Sequence, residues 1–503
     1  RRSDDSTILD NAKRHRGLPS DVDPHNLGET GWGIVCSAEE EQRGVLWRLD
    51  ELLRFRGDEA GDRYRLQIYG EASRGLGSDF VYRTLEEAPG IIDPDKFPYY
   101  ILIVGSPEQI PFSVQYALSV NHVVGRLYFE DPEDYGHYAR AVVSAERDGI
   151  PRQRRMGLFA VEKKDDALRQ LSSHLVAPLV KTIPEKTGWD LDQRRGDLGT
   201  ADELRSLIVG DRGAAPAVLI AAAHGVAKRF GSADQQARQG ALSCLDRALT
   251  EADFRRLKPQ EVPLHGLVAT LVACFGAGVP QFGDYPHERP YEDGDGEGRK
   301  IDVLATELEA QARAPFLARL PQRLLSLGAL AVLGHVGQGW THSFLWFHRG
   351  RMMEGWRSFV DAQVRLLKGF RIGHAMLPLF QRAAQIGGHL TPMLEAVRNG
   401  LAVDPVELGR HWTGYADARG YVLLGDPAVY AMGRPDELPQ DPNQLTDAPP
   451  DAQSVFLPAA LAAEVRLKAR EQGVDVGEYV QKTLKSALKG LGPSFGGGGV
   501  RRL

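Results

Sequence analysis

Two segments of this 503-residue sequence end an apolar run in one reactive side chain followed by glycine or by a short step to glycine. Residues 217–223 (AVLIAAA) run into His224 and Gly225, and residues 267–273 (LVATLVA) run into Cys274, Phe275 and Gly276. Apolar runs without alternation suit central strands covered on both faces. Neighbouring parallel strands bring the residues beyond their carboxyl ends into one crevice. A thiol is a strong nucleophile once deprotonated, and an imidazole beside it can protonate a leaving amine. The N–H groups of Gly225 and Cys274 are the expected oxyanion donors, and glycine admits a substrate backbone at close range. Taken singly, each residue has a bland reading, Cys274 as core and His224 as a hydrogen-bonded structural group. Their matching positions, 50 residues apart at two strand ends, favour a catalytic pair. Cys36 and Cys244 lack such a setting and read as inert. Three cysteines with no C-x-x-C pair exclude a disulfide scaffold and argue against a thiolate zinc site.

The elements that must position this pair are legible as a pattern. Apolar runs at 99–104, 156–161, 218–223, 266–273, 329–334 and 421–424 read as buried strands. Helix-period stretches lie between them at 166–180, 202–209, 314–327 and 354–367. Strands alternating with helices predict an α/β fold with a doubly wound, mostly parallel sheet. We divide the chain into an N-terminal region (1–95), a first α/β subdomain (96–152) and a catalytic subdomain (153–433). A Pro-rich linker (434–453), a small α/β or helical tail (454–490) and a disordered end (491–503) follow.

With 61 basic and 67 acidic residues the net charge is −6, which gives no global attraction to phosphate backbones. No apolar run approaches the roughly 20 residues of a membrane span, and residues 1–13 offer no signal-like apolar stretch. The expectation is a soluble, cytoplasmic protein with a free thiol and no membrane partner.

The order of motifs resembles the clan of caspases, gingipains and CHAT-domain proteases, above all the gingipain-type catalytic domain, from about 99 to about 432. The matching segments are 100–105 with Ile110 and Pro111; Val124, Gly125 and Arg126 followed by 133–139; Ala222 to Gly225; Val272 to Cys274; 324–340 ending in Gln338-x-Trp340; and Gly425, Asp426 and Pro427. The resemblance implies a caspase-like fold of two α/β subdomains. It also implies a cysteine endopeptidase acting through a thioester, with a role in regulated proteolysis or bacterial defence. By this resemblance Glu162 orients His224. Asp166 or Asp165 binds a basic P1 side chain, with Gln338 on the pocket loop and Trp340 stacking on a guanidinium. Cleavage after Arg, then Lys, is therefore expected; the plainer reading of Asp165 and Asp166 is that they cap the following helix.

The acidic, Gly-rich stretch 284–302 reads as a solvated loop or as an activation loop cut at Arg299 or Lys300. Asp293, Asp295 and Glu297 alternate as in a calcium loop, but Leu304 stands where the bidentate glutamate belongs, so no cofactor or metal is expected. The tail resembles a ribbon-helix-helix module. Its strand lacks a basic face, so a regulatory partner fits it better than DNA. The alternative function is a protease-like scaffold that binds a partner or DNA through this tail.

Overall fold

The structure, a computed structural model, describes residues 18–19, 22–70, 92–213, 215–284, 288–291, 298–301, 310–348, 351–433 and 468, with 288–291, 298–301, 347–348 and 351–353 as backbone. The chain divides into units 1–440 and 441–503. The linker, the ribbon-helix-helix-like tail and the end segment lie outside the described residues, Lys468 apart.

A ten-stranded sheet organises the first unit. Its strands in chain order are β1 (Trp32–Ser37), β2 (Tyr64–Tyr69), β3 (Tyr100–Val104), β4 (Val123–Leu127), β5 (Gln153–Ala160), β6 (Asp190–Arg194), β7 (Pro216–Ala222), β8 (Val268–Val272), β9 (Ala331–His335) and β10 (Tyr421–Gly425). Across the sheet they run β2-β1-β3-β4-β10-β9-β8-β7-β5-β6. All neighbours are parallel except β9 and β10. The sheet is thus two parallel blocks of opposite direction joined at one antiparallel seam. The fold is α/β with a mostly parallel sheet, as the alternating pattern predicts. The last strand, β10, pairs with β4 and belongs to the first block, although the sequence reading assigned it to the catalytic subdomain.

All six predicted strands are present in the sheet. Four more were missed or only partly seen. β6 (DLDQR) is a polar edge strand and β2 (YRLQIY) a half-buried one, so neither carries a continuous apolar signal. β1 is buried throughout, and with β2 it adds part of the expected N-terminal region to the sheet.

A buried ionic cluster ties the first block together. Arg56, on α1 (Asp50–Ala60), is fully buried and meets Asp426 at 2.8 Å, Glu146 of α2 (Glu133–Arg147) at 2.6 Å, and Glu59. Asp426 also accepts from the Trp32 indole at 2.9 Å. The G-D-P segment after β10 is therefore a structural anchor, and its charge is compensated where water cannot reach. The four predicted helices follow along the chain as α3 (Asp166–Leu171) with its continuation, α4 (Ala201–Val209), α5 (Arg319–Ser326) and α6 (Arg357–Leu367). Among the described residues no helix is long and apolar enough to cross a membrane.

Candidate active site

In the second block the carboxyl ends of β9, β8, β7 and β5 lie side by side. Each leads directly into one group of interest: Trp340, Cys274, His224 and the Glu162–Asp165 loop. Strands β7 and β8 pair in strict register, Val218 with Val268 through to Ala222 with Val272. The offset is the same 50 positions that separate His224 from Cys274, so the two residues leave their strands at equivalent levels. The Ala223 N–H donates to the Val272 carbonyl at 3.2 Å, extending the ladder toward them. Gly225 then lies against Cys274 so closely that a Cβ there would overlap the Cys274 carbonyl oxygen. Only glycine allows this approach.

The Cys274 thiol is partly accessible and donates to the Gly339 carbonyl at 3.5 Å. Burial pushes the thiol above its ordinary value of 9.0, and Asp417 pushes the same way. Backbone hydrogen bonding at Gly339, Cys274 and Gly225 acts in the opposite sense. Phe275 adopts a left-handed backbone, φ 58°, a conformation costing a non-glycine residue roughly 1–3 kcal/mol. Its N–H donates to the Gly337 carbonyl at 2.6 Å, and its ring is buried beside Val279 and Ala312. Those contacts hold the bend that turns Cys274 out of the strand.

His224 is 47% exposed, and its Nε2 lies 3.2 Å from Asp165 Oδ1. The same Asp165 oxygen caps α3 by accepting from the Leu168 N–H at 3.0 Å. That amide, followed by His224 as the partner side chain, holds the Asp165 carboxyl below the usual carboxylate range. Asp165 is therefore the carboxylate at the imidazole, where the sequence pointed to Glu162. Glu162 instead accepts from Arg195 Nε at 2.9 Å and Nη2 at 2.7 Å, and from Ser172 Oγ at 2.9 Å. Burial raises its pKa, but these donors outweigh burial and hold it low. The reason is local. Arg195 follows β6, the strand beside β5, and claims the first carboxylate past β5 before the imidazole can.

Asp166, 63% exposed, pairs with Arg169 at 2.6 Å and accepts from Gln170 at 2.7 Å on the first turn of α3. Gln338 is exposed, and Trp340 is half-buried on the same loop. The bonds after Arg299 and Lys300 fall within a backbone ladder, Gly298–Ile301 paired with Glu288–Tyr291, where a solvated loop was expected. Asp293, Asp295, Glu297 and Leu304 lie outside the described residues. Among the described residues no cluster of His, Cys, Asp or Glu is placed to hold a metal ion. Cys36 and Cys244 are buried, and burial pushes both thiols up to about 12.

One residue of the site had no sequence signal. Asp417 sits near the end of α7 (Pro405–Gly420), which arrives at the site because β10 runs against β9. It is fully buried and accepts from the Trp340 N–H at 2.7 Å and Ser343 Oγ at 2.6 Å. It thereby fixes the loop whose Gly339 carbonyl meets the thiol. His335 is buried with Nδ1 at 3.2 Å from the Gly337 carbonyl and Nε2 at 3.0 Å from the Asp417 carbonyl, and so forms part of the wall.

No protein-family model matches the chain, and no curated protein matches it. Solved structures similar to it include the following two. One, described as "Structure of Protease", is 12% identical with a TM-score of 0.45, over 83% of this chain and 84% of that chain. The other, the complex of Porphyromonas gingivalis RgpB pro- and mature domains, is 11% identical with a TM-score of 0.41, over 80% of each chain.

Proposed function

We propose that the protein is a cysteine endopeptidase with Cys274 as nucleophile and His224 as general acid and base. The observation that carries this reading is the register of β7 and β8, which brings a partly accessible thiol and an exposed imidazole to equivalent strand ends. His224 Nε2 faces Asp165, which leaves Nδ1 as the nitrogen that exchanges protons with the sulfur and the leaving group. On substrate binding the thiol proton passes to His224 while the sulfur adds to the scissile carbonyl carbon. The displaced electron pair gathers on the carbonyl oxygen between the Gly225 and Cys274 N–H groups. Collapse breaks the C–N bond, the amine takes the imidazolium proton, and a thioester remains. Water then gives a proton to His224, adds to the thioester and releases the acid, returning the thiol.

The raised thiol pKa fits a sulfur that rests protonated and gives up its proton only in the reaction. For specificity we propose Arg, then Lys, at P1. Trp340 adjoins Gly339, which puts a half-buried indole on the loop that meets the thiol, and an indole face attracts a planar cation. Among the described residues the Asp166 carboxylate is engaged only by side chains of its own exposed helix turn, which a substrate guanidinium can displace.

The test is a fluorogenic peptide panel varying only P1, run beside Cys274→Ala. Cleavage after Arg that vanishes in the variant is expected. No cleavage after any residue, or unchanged cleavage by the variant, overturns the peptidase reading. Unaltered Arg preference in Trp340→Ala and Asp166→Ala overturns the pocket assignment alone.

A further inference from the structure

The loop that leaves the site at Gly225 returns to it at Gly240, whose missing Cβ makes room for the Phe275 carbonyl. Its far end carries Lys228, Arg229 and Phe230. Lys228 pairs with Asp234 at 2.5 Å. Arg229 is exposed and meets no carboxylate among the described residues, and Phe230 is 50% exposed. The Arg313 guanidinium lies beside Gly231, with Nε 3.6 Å and Nη2 3.7 Å from where a Cβ would stand. Arg313 also has no carboxylate partner among the described residues. Its carbonyl accepts from the Gln281 side chain at 3.4 Å, and next to Gln281 stands Phe282, 48% exposed.

Gln235 stitches these segments together. It accepts from the Gly231 N–H at 3.1 Å and donates to the Gln311 carbonyl at 2.7 Å. The Gln311 N–H in turn donates to the Gln281 carbonyl at 2.8 Å. The result is one lip made from the segments that follow His224 and Cys274 and from the segment that runs into Phe316–Leu317, which pairs with Gly278–Val279. It presents two half-exposed phenyl rings and two cations that have no carboxylate partner among the described residues. Of the described acids in these segments, Asp234 pairs with Lys228 and Asp284 with Arg419.

We infer that this lip, Arg229, Phe230, Phe282 and Arg313, is an extended recognition surface for peptide substrates that carry acidic residues beside an apolar residue near the scissile bond. The inference rests on the peptidase reading, because the lip matters through its continuity with the proposed pair. Cations without local counter-charge favour carboxylates, and a phenyl ring left half in water gains by covering an apolar side chain. A nucleic acid would also meet cations and rings, but two arginines on a chain of net charge −6 offer few phosphate contacts.

The test uses full-length Cys274→Ala and labelled peptides with a constant P1 and apolar residue and with Glu, Ala or Lys at the flanking positions. Fluorescence anisotropy is expected to rank Glu tightest. Arg229→Ser and Arg313→Ser should each weaken the Glu peptide by up to about fivefold, and the gap should shrink as salt rises from about 0.05 to about 0.3 M. The charge-reversed pair, Arg229→Glu with Arg313→Glu, should prefer the Lys peptide. On the active chain kcat/KM should follow the same order. Cleavage without any Glu-over-Lys preference overturns this inference and leaves the peptidase reading intact. Arginine-dependent, Glu-selective binding without cleavage upholds the lip and overturns the peptidase reading. Arginine-dependent displacement of the Glu peptide by an oligothymidylate assigns the surface to nucleic acid and overturns the inference.

Discussion

Which carboxylate serves His224 can be decided by two isosteric substitutions. Asp165 Oδ1 lies 3.2 Å from Nε2, with the two side chains 46% and 47% exposed. At that distance two unit charges interact by about 1.3 kcal/mol in bulk water and about 5 kcal/mol at an effective dielectric near 20. With nearly half of each group in solvent the lower end applies, and exposed pairs of this kind contribute about 0.2–1 kcal/mol. Asp165→Asn should therefore lower kcat/KM by about 1.4- to 5-fold. Asparagine caps a helix about as well as aspartate, so α3 and the melting temperature should hold. Asp165→Ala adds the lost cap, about 1 kcal/mol of stability. Glu162→Gln should leave kcat/KM unchanged, since its carboxylate is occupied by Arg195 and Ser172. The pH dependence has a definite sign. The Asp165 carboxyl is held below its ordinary 3.8, first by the Leu168 N–H and then by His224. The advantage of aspartate over asparagine at this position is then fully present above that ordinary value and is lost only as pH falls through the lowered one. The measurement is kcat/KM of the parent chain and these variants from acid to alkaline pH, with melting curves alongside. A larger loss in Glu162→Gln than in Asp165→Asn would refute the assignment and give the orienting role to Glu162.

Three further outcomes follow from the geometry. Iodoacetamide should label Cys274 before Cys36 and Cys244, and the Cys274 rate should climb about tenfold per pH unit until it passes its ordinary 9.0, because burial keeps the sulfur protonated; a rate already flat at neutral pH by mass spectrometry would instead mean a preformed thiolate. Asp417→Ala removes the acceptor of the Trp340 N–H, at about 1–3 kcal/mol, and leaves the Ser343 hydroxyl with the Tyr421 hydroxyl at 3.1 Å. Urea unfolding should show that loss, with Asp417→Asn intermediate, and equal midpoints for all three proteins would show that the loop is held by other contacts. Arg56→Met leaves Asp426 and Glu146 without a counter-charge, while Glu59 keeps Arg371 at 3.5 Å, and urea unfolding should register about 3–5 kcal/mol; a near-neutral result would mean that the cluster is not mutually dependent.

How far the site could be read from sequence depended on distance along the chain. His224 and Cys274 were legible because each ends its own apolar strand, and strand ends are a local signal. Asp165 was visible as an acid just past β5, but its choice over Glu162 was not. That choice depends on Arg195, which arrives from β6, a polar edge strand with no apolar pattern to announce it. Asp417 had no signal at all, because a buried aspartate in a helix reads like any other helix-surface acid until the helix is packed.

The sequence by itself determined the strand cores, the alternation with helices and the residues left at two strand ends, since these follow from side-chain chemistry within a few positions. Only the tertiary structure decided that β10 crosses back to the first block and turns the sheet antiparallel at β9. That crossing delivers Asp417 beneath the thiol loop, and the packing of β6 beside β5 removes Glu162 from the imidazole. Both are contacts between segments far apart in the chain, and the pairing of edges and the satisfaction of buried charge settle them only once the sheet is assembled.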